Sequence, residues 1–425
     1  MARIIIRNGT VVDPTQNLCD TADIYIEDDI IKAVQKDITL PCDKVYEAKN
    51  MYVMPGLVDM HVHLRDPGPT YKEDIYTGSN AALAGGVTSM LCMPNTDPTI
   101  DNQETINYIN ENVSRTRARI YICGAISKGL NGDELADFDM YEKNDIVAVS
   151  DDGRPVKSDA LMLEALKQAK KHGLLVTSHC EDLDIVNGGI INLGKVSKQL
   201  QVAGIDRQSE NIATQRDIDL CKEYGLRIHI CHVSTKEAVE AIRKAKKEGV
   251  KITCETCPHY FAYTDEKLLK KDADYRMNPP LREETDRLAI IEGIKDGTID
   301  CIATDHAPHT KKEKSDFLTA PNGVVGLETS LSAGVRFLVE NGHIDMLTLT
   351  KLMSTNPARI LGISGGNLKV GNIADIILFD KNVVWTVLPE RLNSKSKNTA
   401  FKFERLQGRV KYAFVSGELC YVMRY

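Results

Sequence analysis

Eight short apolar runs, each ending in polar and chemically reactive residues, constrain this chain more than any other feature. They are Leu57–Leu64, Val87–Met93, Ile120–Ile126, Ile146–Ser150, Leu174–His179, Arg227–Val233, Val250–Thr256 and Asp300–Thr304. Amphipathic stretches lie between most of them, most clearly Asp159–His172, Asn211–Tyr224, Thr235–Glu248 and Glu284–Lys295. Strand–helix alternation of this kind gives parallel strands joined by right-handed crossovers. Eight such units predict an α/β fold, a (β/α)8 TIM-type barrel whose C-terminal strand ends meet at one mouth. The rival is a doubly wound open sheet. No Gly-rich phosphate loop follows the first strand, and reactive residues end many strands rather than the one or two at a switch point.

The flanks read differently. The first 54 residues alternate apolar runs (Arg3–Arg7, Asp23–Glu27, Ile30–Val34) with turns, Asn8-Gly9 among them, and show no long helix. The end of the chain resumes the pattern at Ala374–Asp380, Gly408–Val415 and Leu419–Val422, after a polar loop at Asn393–Asn398. The expected division is a β domain from residues 1–54 and 366–425, read as a small β-sandwich, around a barrel at 55–365. The opening MARIIIRNGTVVDP lacks the basic and long apolar regions of a secretion signal and reads as a first strand.

A formal net charge of −7 argues against a nucleic-acid binder, which needs a basic face. No apolar run is long enough for a transmembrane helix. Eleven scattered cysteines without a secretion signal read as reduced thiols of a cytoplasmic protein. Cys254-Glu255-Thr256-Cys257 is a lone CxxC, read as wall positions of a buried strand.

His61-Val62-His63 is the sharpest local feature. Residues i and i+2 of a strand share a face, so two imidazoles at a strand end can hold one metal ion. Alone, the pair could equally be two surface histidines. But Asp151-Asp152-Gly153 ends the fourth run, His179 the fifth, His232 the sixth, and Asp305-His306 the eighth. Barrel geometry brings these ends together. Four histidines with two carboxylates suit a pair of zinc ions about 3.5 Å apart sharing a hydroxide. His229, on the opposite strand face from His232, reads as packed; His172 and His343 read as helix-end or surface residues. His259 is a weaker candidate for a supporting role.

The segment Pro55-Gly56-Leu57-Val58-Asp59-Met60-His61-Val62-His63-Leu64-Arg65 resembles the opening motif of the amidohydrolase superfamily, and Arg65-Asp66-Pro67-Gly68 narrows the resemblance to dihydroorotases. Ala303-Thr304-Asp305-His306-Ala307-Pro308-His309 with Lys314 resembles their second signature, and Met93–Thr96 and Met277–Arg282 match as well. The resemblance covers nearly the whole chain. It implies reversible, zinc-dependent interconversion of (S)-dihydroorotate and N-carbamoyl-L-aspartate, the third step of pyrimidine synthesis. Many relatives bridge their metals with a carboxylated lysine at the end of strand four. Here no lysine occurs before Lys157, which fits the class I bacterial type with Asp152 as the bridge; Asp151 is the competing assignment.

On that resemblance the metal ligands are His61, His63, Asp152, His179, His232 and Asp305, holding two zinc ions bridged by Asp152 and a hydroxide. Asp305 also moves the proton. His63, Arg65, Asn95, Asn278, His309, Asn322 and Gly323 are the substrate contacts, with Arg65 offering a planar fork to the substrate carboxylate. Two positions depart from the family: Asn322 where Phe is frequent, and Tyr260 where a second His is frequent. A homodimer and an association with aspartate transcarbamoylase are both compatible with the resemblance. A hydantoinase-like enzyme is the near alternative, and a metal-free assembly subunit the distant one.

Overall fold

The computed structural model describes residues 3–423. Met1 and Ala2, which open the stretch read as a first strand, and the last two residues of the expected β domain lie outside the described residues.

All eight apolar runs are strands of one parallel sheet: Leu57–Val62, Val87–Cys92, Arg119–Ala125, Ala148–Ser150, Leu175–Ser178, Arg227–Ile230, Lys251–Thr256 and Cys301–Ile302, each paired to the next in chain order. A parallel bridge from Val62 to His306, with His63 N–H donating to His306 O at 2.8 Å, ties the eighth position back to the first and brings the barrel to near closure. The crossover helices follow local sequence signals. Ser158 caps Asp159–Lys171 by accepting from Leu161 N–H, and Lys170 and Lys171 face the negative end of the helix dipole. Thr235 caps Lys236–Lys247, which buries Ala238, Val239, Ile242 and Ala245 on one face.

The two chain ends share one mixed eight-stranded sheet, in which Ile376–Thr386 pairs antiparallel with both Met51–Pro55 and Arg405–Val415. This sheet encloses an apolar cluster of its own, including Ile4, Ile6, Ile24, Ile26, Leu378 and Phe414. It is continuous with the barrel at two places. The chain passes from Met51–Pro55 straight into the first barrel strand, and Ile377, Phe379, Val410 and Ala413 join the barrel's main buried cluster.

One expected turn is absent. Asn8-Gly9 lies inside the strand Arg3–Asp13 as a bulge between Ile6 and Gly9. Asn8 takes a left-handed φ of 62° and donates its N–H to Asp23 Oδ1 at 2.8 Å, while a Cβ on Gly9 would sit 2.3 Å from Val53 Cγ2. The glycine is there because Val53, on the strand paired alongside, packs against the bulge. The chain reverses later, at Pro14–Gln16.

A histidine and carboxylate cluster at the barrel mouth

Side chains at positions 61, 63, 152, 179, 232 and 305 converge at the C-terminal ends of the barrel strands, all buried. Asp152 stands at their centre. Its Oδ1 lies 3.3 Å from His61 Nε2, 3.3 Å from His179 Nδ1 and 3.7 Å from His232 Nε2, and its Oδ2 lies 3.4 Å from His63 Nε2. Asp305 Oδ1 lies 3.1 Å from His63 Nε2 and 3.7 Å from His61 Nε2. Arg65, His232 and Asp305 hold φ of 59°, 33° and 46°, a region that non-glycine residues rarely occupy. Strain of this kind concentrates at functional sites, where surrounding packing enforces it.

The adjacent aspartates are sorted cleanly. Asp151 turns away and accepts from Ile126 N–H at 2.8 Å, Ser127 N–H at 3.0 Å and the Ser127 hydroxyl. Asp152 alone faces the histidines. Lys157 pairs with Asp184 at 2.9 Å at the surface and does not enter the cluster.

Behind the histidines stand acceptors that fix the imidazole tautomers. His61 Nδ1–H donates to Glu255 Oε1 at 3.0 Å, His63 Nδ1–H to Asn95 Oδ1 at 2.8 Å, and His179 Nε2–H to Glu181 Oε2 at 2.9 Å. A neutral ring that donates outward presents a lone pair inward. The opposite ring nitrogens, His61 Nε2, His63 Nε2 and His179 Nδ1, point at the carboxylate oxygens of Asp152 and Asp305. His61 Nε2, Asp152 Oδ1 and His232 Nδ1 are buried and make no hydrogen bond. Converging lone pairs and anions, with each ring oriented by an outer acceptor, form a donor set that fits divalent zinc. Within it, His61, Asp152 and His232 bring donor atoms within reach of one ion, as do His61, His63 and Asp305.

Next to the cluster is a cavity of about 230 Å³. Every expected substrate contact lines it: His63, Arg65, Asn95, Asn278, His309, Asn322 and Gly323. The Arg65 guanidinium donates to Pro308 O at 3.4 Å and forms no ion pair with a carboxylate among the described residues, so it is not a structural salt bridge. Gly323 has φ 134°, and a Cβ there would lie 2.7 Å from Ala307 O, so the loop approaches the mouth as only glycine allows. Lys314 clamps that loop, donating to Arg276 O, Pro321 O and Gly323 O at 3.1, 2.9 and 3.0 Å. Asn95 spends its amide on His63 and, at 3.2 Å, on Asp152 Oδ2, so its first task here is orientation.

Several contributors escape sequence reasoning. Glu255, inside the lone CxxC, links His61 to His229, whose Nε2 lies 3.3 Å from Glu255 Oε2. Cys254 and Cys257 on either side are buried free thiols. Glu181 joins His179 to Asn278, whose Nδ2 donates to Glu181 Oε1 at 2.9 Å. Asn398, from the distant polar loop, accepts from His309 N–H at 3.1 Å and donates to Gly323 O at 3.0 Å. His259 is buried edge-on against Tyr260, with ring centroids 4.3 Å apart, and its Nε2 makes no hydrogen bond. His306, inside the second signature, is bound through Nε2 to buried Glu73 at 3.3 Å, and its Nδ1 accepts from Gly326 N–H at 3.2 Å.

The sequence profile of the amidohydrolase family matches residues 52–420. The chain is 46% identical over 421 residues to a dihydroorotase of Trichlorobacter lovleyi, covering 98% of this chain and 99% of that protein. It is 47% identical over 418 residues to a dihydroorotase of Acetivibrio thermocellus, covering 98% of each. It is 44% identical to one of Aquifex aeolicus, covering 99% of this chain and all of the relative.

The chain belongs to the amidohydrolase family, in its dihydroorotase branch.

Among solved structures, the L-hydantoinase of Arthrobacter aurescens superposes with a TM-score of 0.87 at 24% identity, covering 100% of this chain and 98% of that one. A D-hydantoinase superposes at 0.86 with 26% identity, covering 98% and 95%. These likenesses show the fold, a barrel with its attached sheet.

Proposed function

We propose that this dihydroorotase-family chain interconverts (S)-dihydroorotate and N-carbamoyl-L-aspartate at the barrel mouth. Its catalytic unit is the barrel of residues 55–365, with the sheet from 1–54 and 366–425 as its support. The observation that carries the choice of substrate is Arg65: a guanidinium on the cavity wall beside the histidine cluster, without a carboxylate of its own. Dihydroorotate brings the missing carboxylate, and a simple hydantoin ring does not. A planar fork pairs with a carboxylate through two parallel hydrogen bonds.

The residues that would hold two zinc ions are His61, His63, Asp152, His179, His232 and Asp305. Bound zinc would polarise the ring carbonyl and activate water at neutral pH. The chain's own groups do the rest. Arg65 and His309 seat the substrate carboxylate. Asn278, held by Glu181, lies where it can meet the amide edge of the ring. Asp305 takes a proton from the attacking water and delivers it to the departing ring nitrogen; in ring closure the same carboxyl supplies and recovers that proton in reverse. With no lysine in the cluster, activity should not depend on added bicarbonate. We place the reaction in a reducing compartment, the cytoplasm. All eleven cysteines are free, and no described helix is long and apolar enough to cross a membrane.

The test is turnover of dihydroorotate and of unsubstituted hydantoin by one preparation. Strong preference for dihydroorotate is expected. Equal or better turnover of the hydantoin would move the protein to the neighbouring branch.

A further inference from the structure

His309 is gripped from both sides, and the two grips demand the same proton position. Its Nε2 lies 2.9 Å from Asn322 O, and its Nδ1 lies 3.2 Å from Lys72 Nζ. A carbonyl oxygen only accepts and an ammonium only donates. The ring must therefore carry its hydrogen on Nε2 and keep a lone pair on Nδ1. Burial, followed by the cations of Arg65, Lys72 and Lys314, pushes the imidazole down to about 2, so the ring stays neutral and its tautomer is the variable that remains.

The Nε2 side faces the substrate. Arg65 Nη2 lies 3.4 Å from His309 Nε2, which sets two donors against each other. The Nε2–H already donates to Asn322 O, so an acceptor oxygen placed between Arg65 Nη2 and His309 Nε2 takes the Arg65 hydrogen and a second branch of the His309 one. A carboxylate oxygen fits that place, and the other tautomer would offer it a lone pair instead.

Lys72 is itself anchored. Its Nζ is 2.8 Å from Glu313 Oε1, and Glu313 Oε2 accepts from Thr310 N–H at 2.9 Å and the Thr310 hydroxyl at 2.8 Å. Its carbonyl accepts from the Ser396 hydroxyl at 2.6 Å. A lysine serving only as a surface clamp would need Glu313 and not His309.

We propose that Lys72 is a positioning residue, which holds His309 in the Nε2–H tautomer and thereby sets the second donor of the carboxylate subsite. The proposal rests on the functional reading above. Neither sequence signature contains Lys72.

The test uses zinc-loaded full-length protein with 15N-labelled histidine, the His309 signals being assigned by their loss in His309→Asn. Wild type should show the Nε2–H tautomer. Lys72→Met leaves Asn322 O as the one grip on the ring and should show a mixture of the two tautomers. Its KM for dihydroorotate should rise about tenfold, the scale of one misdirected hydrogen bond to a charged group, with kcat and zinc content close to wild type. Lys72→Gln keeps an N–H donor without the charge and should restore both the tautomer and most of the KM. The proposal is overturned if wild-type His309 carries its proton on Nδ1, or if Lys72→Met leaves KM unchanged. It is also overturned if Lys72→Gln is as impaired as Lys72→Met while the tautomer never changes, because charge alone would then be acting. Failure of the wild type to turn over dihydroorotate would sink the functional reading, and the tautomer measurement would still decide what Lys72 does to His309.

Discussion

Buried carboxylates are treated in opposite ways in the terminal sheet and at the barrel mouth. In the sheet, Asp23 accepts from Asn8 N–H and Ile38 N–H at 2.8 and 3.0 Å. Asp13 accepts from Thr15 N–H at 2.9 Å, Gln16 at 2.8 Å, and Leu368 N–H at 2.9 Å, which ties the two ends of the chain together. Every partner is a donor, and the groups stabilise the fold as they stand. At the mouth, Asp152 and Asp305 face imidazole nitrogens that outer acceptors have turned into lone pairs. Such a cluster costs stability until cations enter, because unpaired buried polar groups lose their hydration without compensation. Asp151 makes the contrast within one dipeptide: it is saturated by donors, and its neighbour is not. The partners of a carboxylate, rather than its burial, thus separate a structural group from one prepared for a metal.

The largest effect expected from this contrast is at Asp305. Asp305→Asn keeps the shape and one ligand oxygen but cannot cycle a proton. Turnover should fall in both directions by a factor on the order of 10² or more, the scale of lost general acid–base catalysis, with zinc largely kept. Near-normal turnover in a metal-replete variant would remove Asp305 from the proton path. Arg65→Met comes next. It should weaken binding of dihydroorotate by several kcal/mol, part of which is the cost of stranding the ligand's charge, while zinc stays bound. Loss of zinc with unchanged KM would make Arg65 a structural residue.

Much of this was legible beforehand, because periodicity and strand-end chemistry are local. The eight runs mark the strands to within a few residues, and Glu284–Lys295 is a helix with the expected ends. The i, i+2 spacing of His61 and His63 puts both rings on one face, as the structure shows. What the sequence hides is long-range. Glu255 meets His61 across 194 positions, and Asn398 meets His309 across 89. No spacing rule joins such pairs, and Glu255 was masked by a CxxC that drew attention to its sulfurs. Glu181 was the one findable omission, since it lies two residues past His179 and could have been read as its hydrogen-bond acceptor. Asn8-Gly9 misled because the same dipeptide serves a tight turn and a bulge; only the packing of Val53 from the neighbouring strand decides between them.

Glu255→Gln sharpens the contrast at intermediate scale. Zinc affinity should drop roughly 10- to 100-fold, as when other outer partners of metal-bound histidines are changed, and metal-competition titration would measure it. Unchanged affinity would mean that the His61 tautomer does not depend on Glu255. The smallest catalytic effect belongs to the sheet. Asp23→Ala should cost about 1–3 kcal/mol of stability by stranding two N–H groups, seen as a lower denaturation midpoint, with kcat per folded molecule and zinc content unchanged. A fall in kcat without loss of stability would show that the sheet participates in the site directly.

The central claim is that the lone pairs gathered at the mouth exist to hold metal ions that the reaction requires. The most direct measurement is zinc content and dihydroorotate turnover on one sample, before chelation, after it, and after zinc is restored. The account predicts zinc at one to two ions per chain, loss of turnover in step with metal removal, and recovery on readdition. Turnover that persists in protein shown to be free of metal would contradict it.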